Sequence, residues 1–287
     1  MSVYPIILSQ TGFAHRDELT YPFEERGLQF GDGVYEVIRI YGGKYYLLTE
    51  HVERLFRSAE AIKLSLPFSN QDITKRLLDL LEQNEMVSDG IVYLQATRGS
   101  APRNHAFPTD TQANVYAYIR DMPRKTNNLI NGVSAITQRD TRWENCYIKS
   151  LNLLPNVLAK QAAQENGSYE AILERDGIVT ECSSSNIYLV KNDNIYTHPA
   201  TKTILHGCVR MRVEQFAGND NIPFVEEAFA VEDIFAADEL FLSSSTSEVM
   251  PIVEVDGKMI ADGKPGKVTR QLQEAYEKDA NINKIVT

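Results

Sequence analysis

Short apolar blocks over Val3 to Leu8 and Tyr35 to Tyr41 predict strands, and the second block runs through Gly42-Gly43 into Tyr45 to Leu48 as a β-hairpin. The period then changes. From Thr49, a residue suited to cap a helix, Val52, Leu55, Phe56, Ala59 and Ile62 fall at the spacing of one amphipathic helical face. A second helix is expected from about Asn70 to Met86. Ile91 to Thr97 and Val115 to Ile119 read as strands on either side of an irregular loop, Ser100 to Ala113.

The stretch 121–132 is polar, carries Pro123, Asn127, Asn128 and Asn131, and has neither period. It reads as a linker, which divides the chain into an N-terminal domain, 1–120, and a C-terminal domain, 133–287. Beyond the linker the pattern predicts a strand at Val133 to Gln138 and a helix from about Leu153 to Glu165. Two hairpins follow, Tyr169 to Glu181 turning at Asp176-Gly177, and Asn186 to Thr197 turning at Asn192 to Asn194. A helix from about Gly207, a strand at Glu239 to Ser243, a hairpin turning at Asp256-Gly257 and a helix over Lys267 to Lys278 complete an α+β pattern without repeats.

A chain of 287 residues agrees with two domains at roughly 150 residues each. Its 43% hydrophobic and 24% charged residues are those of a folded globular protein. With 29 Lys+Arg against 39 Asp+Glu the net charge is -10, so no overall field attracts a polyanion, and neither nucleic acid nor an anionic membrane is expected as a partner. Cys146, Cys182 and Cys208 are odd in number and lack C-x-x-C spacing, which gives neither a disulfide framework nor a zinc ribbon. Met1 to Gln10 has no basic segment before its apolar stretch, and no run approaches the roughly 18 apolar residues that span a bilayer, so a cytoplasmic location is expected.

Several chemistries lose support for want of their motifs. Gly31-Asp32-Gly33 lacks the third glycine of a dinucleotide fingerprint, and Gly266-Lys267 is followed by Val268 where a P-loop has Ser or Thr. His15, His51, His105, His198 and His206 form no close metal pair, and no G-x-S-x-G elbow is present. What stands out is Lys149, set in the mostly apolar segment Tyr147 to Leu154 just before a helix. Desolvation disfavours an ammonium ion and favours the free amine that attacks an aldehyde; the alternative is a lysine whose stem crosses apolar surface while its head reaches water. Glu181 closes a strand and precedes the hydroxyl-rich run Cys182 to Asn186, which on its own reads equally as a polar turn. Gly207 opens a helix whose first amides make a ready anion site.

Taken in order, these segments resemble the fold-type-IV, pyridoxal-phosphate-dependent aminotransferases, and among them the D-amino-acid transaminases. The resemblance runs through Arg26-Gly27-Leu28-Gln29-Phe30-Gly31-Asp32-Gly33-Val34-Tyr35-Glu36, His51-Val52-Glu53-Arg54-Leu55, Thr97-Arg98-Gly99, Lys149-Ser150-Leu151-Asn152, Glu181 to Asn186 and Ser243 to Glu248. It implies an α+β architecture with a small N-terminal α/β domain and a larger, β-rich C-terminal domain, and a homodimer. It also implies pyridoxal 5'-phosphate as cofactor, with Lys149 as the Schiff-base partner and proton carrier and Glu181 against the pyridine nitrogen. Arg54 and the backbone amides of Cys208 and Val209 would hold the phosphate, Ser244 and Ser245 would add phosphate or supporting contacts, and Leu205 would pack under the ring. In the D-amino-acid group an R-x-H pair and the tyrosine of G-D-G-V-Y trap the α-carboxylate; here these are Arg103, His105 and Tyr35.

The implied reaction moves an amino group from a D-amino acid such as D-alanine to a 2-oxo acid such as 2-oxoglutarate by a ping-pong course. On the same fold the competing readings are a branched-chain L-amino-acid or (R)-amine transaminase and an aminodeoxychorismate lyase; a non-catalytic binding protein is disfavoured by the presence of both Lys149 and Glu181. One departure is Cys182, where glycine is common, which would set a thiol beside the cofactor, open to oxidation if exposed. Cys146 reads as a buried small hydrophobe.

Overall fold

The computed structural model describes residues 3–285; the outermost positions of the two expected domains, 1–2 and 286–287, lie outside the described residues. The chain divides into two compact units, one running up to Arg124 and including Ile148–Asn152, the other made of Lys125–Tyr147 and the chain from Leu153 onward.

The first unit contains β1 (Ile6–Ser9), β2 (Gly12–His15), α1 (Arg26–Phe30), β3 (Gly33–Tyr41), β4 (Lys44–Tyr45), α2 (Leu48–Ala61), α3 (Asn70–Gln83), β5 (Gly90–Thr97) and β6 (Asn114–Asp121). Its six strands form an antiparallel sheet in the order β2-β1-β6-β5-β3-β4. Strand alternation sorts the two faces. Val34, Ile38, Ile40, Val92, Leu94, Ala96, Val115, Ala117 and Ile119 form one core with Val52, Leu55 and Ala59 of α2 and Ile73, Leu77 and Leu80 of α3. Tyr35, Tyr93 and Tyr118, at the intervening positions, stay half-buried and stack in a row, with ring centroids 5.8 and 5.4 Å apart.

The second unit contains α4 (Thr126–Asn131), β7 (Val133–Arg139), α5 (Leu154–Glu165), β8 (Glu170–Arg175), β9 (Ile178–Cys182), β10 (Asn186–Lys191), β11 (Asn194–Thr197), α6 (Cys208–Asn219), β12 (Phe224–Glu226), α7 (Val231–Ile234), β13 (Glu239–Ser244), β14 (Glu248–Val255), β15 (Lys258–Met259) and α8 (Lys267–Asp279). A mixed sheet runs β12-β11-β10-β13-β14-β7-β8-β9, with β15 on β14, and is parallel at β11/β12, β14/β7 and β7/β8. Its core gathers Ile172, Val179, Ile187, Leu240, Leu242, Met250 and Ile252. Glu239, at the start of β13, accepts from the amides of Val268 and Thr269, both at 2.8 Å, and so caps α8, whose own N-cap is a glycine.

The four expected hairpins form at the expected turns. Gly42-Gly43, Asp176-Gly177, Asn192-Asp193 and Asp256-Gly257 each have both residues at positive φ, the twist that suits two-residue hairpins. Three expectations change. Helix α2 begins at Leu48, and its N-cap is Leu47 in the left-handed region, so Thr49 lies inside the first turn. The stretch 121–132, expected as a linker, holds the end of β6 and the helix α4; the division of the chain falls within it, at Arg124/Lys125. Leu129 of α4 is 1% exposed in the second core, and its carbonyl accepts from Arg270 and Gln273 of α8, so a single anchored leucine supports a helix that lacks a visible period. Finally, Ile148–Asn152, expected with the C-terminal domain, packs with the first unit. Tyr35 N–H donates to Lys149 O and Leu151 N–H to Gly33 O, each at 3.0 Å, which extends the edge of β3.

Candidate active site

In the first unit, the backbone of Lys149 is held from two sides: its carbonyl accepts from Tyr35, and its amide donates to Ser58 Oγ of α2 at 3.2 Å. The side chain is half-buried, and Nζ lies 4.4 Å from the centre of the Tyr35 ring. Among the described residues, no carboxylate pairs with this amine. The ring packs against the lysine head and holds it in place, while leaving the amine itself free of a salt bridge among the described residues. Tyr35 and Lys149, singled out for separate roles in the sequence, thus lie side by side in the first unit.

Glu36, the next residue on β3, points to the opposite face and meets α2. Arg54 donates to it in bidentate fashion, Nε to Oε1 and Nη2 to Oε2, both at 2.7 Å, and His51 Nδ1 lies 2.7 Å from Oε2. Burial alone would raise the Glu36 carboxyl; the Arg54 guanidinium, and then His51, hold it well below the usual carboxylate range. Arg54 is itself buried and fixed at this spot on the helix.

Arg103 and His105 lie exposed on the loop between β5 and β6 and meet on one ring: Arg103 Cζ is 4.6 Å from the centre of Phe30, and the His105 ring is 5.4 Å from it. Arg26 also reaches this ring, at 4.8 Å, and its Nη1 donates to Asn104 O at 2.6 Å, which ties the loop to α1. Neither Arg103 nor His105 hydrogen-bonds to Tyr35 among the described residues, and no carboxylate neutralises Arg103.

In the second unit, Glu181 ends β9 and is buried. One oxygen accepts from Arg142 Nη1; the other accepts from Asn186 Nδ2 at 3.1 Å, and the Leu205 amide lies 3.2 and 3.3 Å from the two. Burial raises the Glu181 carboxyl above its usual range, against the pull of Arg142 and the Leu205 amide. Arg142 is shared with Asp140, to which it donates from Nε and Nη2 at 2.9 and 2.8 Å. Asn186 also donates to Leu205 O at 2.8 Å. Its Oδ1 sits where a side chain on Gly207 would be, since a Cβ there would approach to 2.3 Å, so only glycine lets the start of α6 come this close. No side chain caps α6, and Cys208 and Val209 in its first turn are buried.

The β10–β13 ladder pairs Asn186 with Ser243, which carries the turn from Ser244 to Ser247 to the same end of the sheet. Ser244 and Ser245 are half-buried there. The hydroxyls after Glu181 are otherwise engaged: Ser183, Ser184 and Ser185 all donate to the buried Glu170 carboxylate, so this run is a structural turn. The condition for oxidation of Cys182, that it be exposed, is not met. Cys182 is 1% exposed within the second core, because adjacent residues of a strand face opposite ways. Cys146 is buried as expected, and burial pushes its thiol up to about 11.

Sequence reading missed Arg142, Asn186, Glu36 and His51 as members of these clusters. Glu36 was detectable: it occupies a core-facing parity between Val34 and Ile38, and His51 and Arg54 fall three apart on the helix face that meets it. For Arg142 no spacing gave notice, because its link to Glu181 spans 39 residues.

Residues 33–255 match the sequence model of the family described as amino-transferase class IV. The chain is 46% identical over 267 residues to a D-alanine aminotransferase of Staphylococcus epidermidis, covering 93% of this chain and 94% of that one. It is also 46% identical over 262 residues to a D-alanine aminotransferase of Bacillus licheniformis, covering 91% and 92%. Among solved structures, a branched-chain aminotransferase of Thermoproteus uzoniensis with norvaline superposes with a TM-score of 0.88 at 27% identity, covering 96% of this chain and 94% of the other. The branched-chain amino acid aminotransferase of Escherichia coli superposes with a TM-score of 0.86 at 22% identity, covering 94% and 92%, which shows a shared fold. With its α+β fold and these matches over most of its length, the chain belongs to the class IV aminotransferases, the fold-type-IV family.

Proposed function

We propose that this chain is a D-amino-acid aminotransferase that moves the amino group of D-alanine to 2-oxoglutarate, giving pyruvate and D-glutamate, with pyridoxal 5'-phosphate as cofactor. The residues fit that cofactor. An amine without a counter-ion among the described residues, a buried carboxylate supplied with three donors, and a helix start without a side-chain cap are the set that an aldehyde, a pyridine nitrogen and a phosphate need. Lys149 would hold the aldehyde carbon, Glu181 the pyridine nitrogen, Arg54, Cys208 and Val209 the phosphate with Ser244 and Ser245, and Leu205 the underside of the ring. When bound, pyridoxal phosphate supplies an electron-accepting ring that stores the pair left on the substrate carbon.

The remaining work falls to the chain itself. Lys149 Nζ would carry the proton from the substrate carbon to the cofactor's C4′ in the first half-reaction, and in the reverse direction in the second. Glu181 would lie beside the ring nitrogen, and Arg142, shared with Asp140, fixes the carboxylate there and opposes the effect of its burial. Arg103, with His105 and Tyr35, would seat the α-carboxylate and so choose the face of the substrate carbon that meets Lys149.

The observation that carries the choice of substrate is Arg103, an exposed guanidinium with no carboxylate partner among the described residues, steadied on the Phe30 ring two residues from His105. The identity to D-alanine aminotransferases over nine-tenths of the chain supports the same choice. Likeness in fold to branched-chain enzymes favours the second reading, a branched-chain L-amino-acid transaminase, at much lower identity. The buried free cysteines suit a reducing cytoplasm, and we read the working form as a homodimer. The test is pyruvate release from D-alanine on addition of 2-oxoglutarate. Release that requires the oxo acid supports the reading; pyruvate from aminodeoxychorismate without any oxo acid would make the protein a lyase.

A further inference from the structure

The turn from Ser244 to Ser247 is anchored to the strand region before β8 by Tyr169. Tyr169, just before β8, places its hydroxyl 2.8 Å from Ser247 Oγ, and Lys125 Nζ donates to the same hydroxyl at 3.0 Å. Because an ammonium group is donor only, the Tyr169 oxygen accepts from Lys125, and the same hydroxyl is joined to Ser247 Oγ. Ser247 N–H in turn donates to Ser244 Oγ at 3.1 Å. Ser244 Oγ therefore accepts within the turn, and its proton is left for another acceptor; Thr246 Oγ1 is a distant one, at 3.4 Å. Lys160 adds a second cation 4.7 Å from the Tyr169 ring and donates to the Tyr169 carbonyl, while its ammonium lies 3.4 Å from Glu170, the carboxylate that gathers Ser183 to Ser185.

We propose that Tyr169, oriented by Lys125, is a positioning residue for the cofactor's phosphate: by anchoring the Ser247 side chain it holds the turn that presents the Ser244 hydroxyl. The inference rests on the pyridoxal phosphate reading above and extends it to residues that do not themselves touch the ligand. Ser247 links the two ends of this support, its side chain bonded to Tyr169 and its backbone amide to Ser244, so loosening the first frees the second to shift.

The test is calorimetric titration of the full-length protein, stripped of cofactor, with pyridoxamine 5'-phosphate and separately with pyridoxamine, which lacks the phosphate. Tyr169→Phe and Ser247→Ala should each weaken the phosphorylated ligand about two- to tenfold, the size of one hydrogen bond between neutral groups. Pyridoxamine should bind the variants as it binds the parent, and the double variant should lose no more than either single one. Unchanged affinity for the phosphorylated ligand in both variants, or an equal loss for both ligands, would overturn the proposal while leaving the cofactor reading in place. Failure of the parent protein to bind pyridoxamine 5'-phosphate would overturn both. If Tyr169→Phe does not fold, Ser247→Ala, which removes one oxygen from a turn, carries the test.

Discussion

Glu181 and Cys182 are neighbours on β9 and face opposite sides of the large sheet, the carboxylate toward Arg142 and Asn186, the thiol into the apolar core. Strand geometry alone separates them. Burial raises the Cys182 thiol well above its ordinary range, and Cys146 and Cys208 are buried too. The folded protein should therefore show no fast reaction with an aromatic disulfide reagent, and all three thiols should appear on unfolding in guanidinium. Rapid modification of Cys182 with loss of activity would place it beside the site after all.

Lys149→Ala should abolish turnover, because the substitution removes both the amine that holds the cofactor and the proton carrier. Borohydride reduction followed by mass spectrometry should find a pyridoxyl group on Lys149 in the parent protein and none in the variant. Near-parental rates would remove Lys149 from the mechanism.

Arg103→Ala should raise KM for D-alanine and 2-oxoglutarate, at a cost of about 2 to 4 kcal/mol if the ion pair forms away from water. Amines without a carboxylate should be used as poorly or as well as before. An equal loss for such amines would mean that Arg103 supports the loop and does not seat the carboxylate.

Glu36 makes a prediction about stability. Its carboxyl is held low in the folded protein by Arg54 and His51, so the unfolded chain binds its proton first on acidification. The stabilisation is fully present above the ordinary glutamate value of about 4.3 and is lost as the pH falls from there toward the lowered folded value. Glu36→Gln, which leaves the Arg54 guanidinium without its anion, should cost about 3 to 5 kcal/mol near neutral pH in urea unfolding. The gap between parent and variant should narrow below about pH 4. A gap that stays constant through that range would contradict the account.

Much of this was legible in the sequence wherever a local signal sufficed. The four hairpin turns carry their own chemistry, Asp-Gly, Gly-Gly or Asn-Asp, and formed where expected. The helical period of Val52 to Ile62 gave α2, though its start was misplaced, because the helix is entered through Leu47 in a left-handed backbone, with no side-chain cap to mark the position. The short α4 has one buried anchor, Leu129, and too few turns to show a period, so its asparagines read as a linker. At the site, the motif residues were visible one by one, but their partners were not. Arg142 reaches Glu181, and Tyr169 reaches Ser247, only because the sheet brings distant strands together. The same holds for Ile148–Asn152: no local pattern says that five residues should leave one unit and pair with the edge of the other's sheet.

The central claim is tested most directly by a half-reaction. The purified, cofactor-loaded protein is mixed separately with D-alanine, L-alanine and L-leucine, and the visible absorption of the bound cofactor is followed. The account predicts rapid loss of that band with D-alanine alone. Loss with L-leucine while D-alanine is inert would contradict it, and would show that Arg103 and His105 do not seat the substrate carboxylate in the D-specific manner.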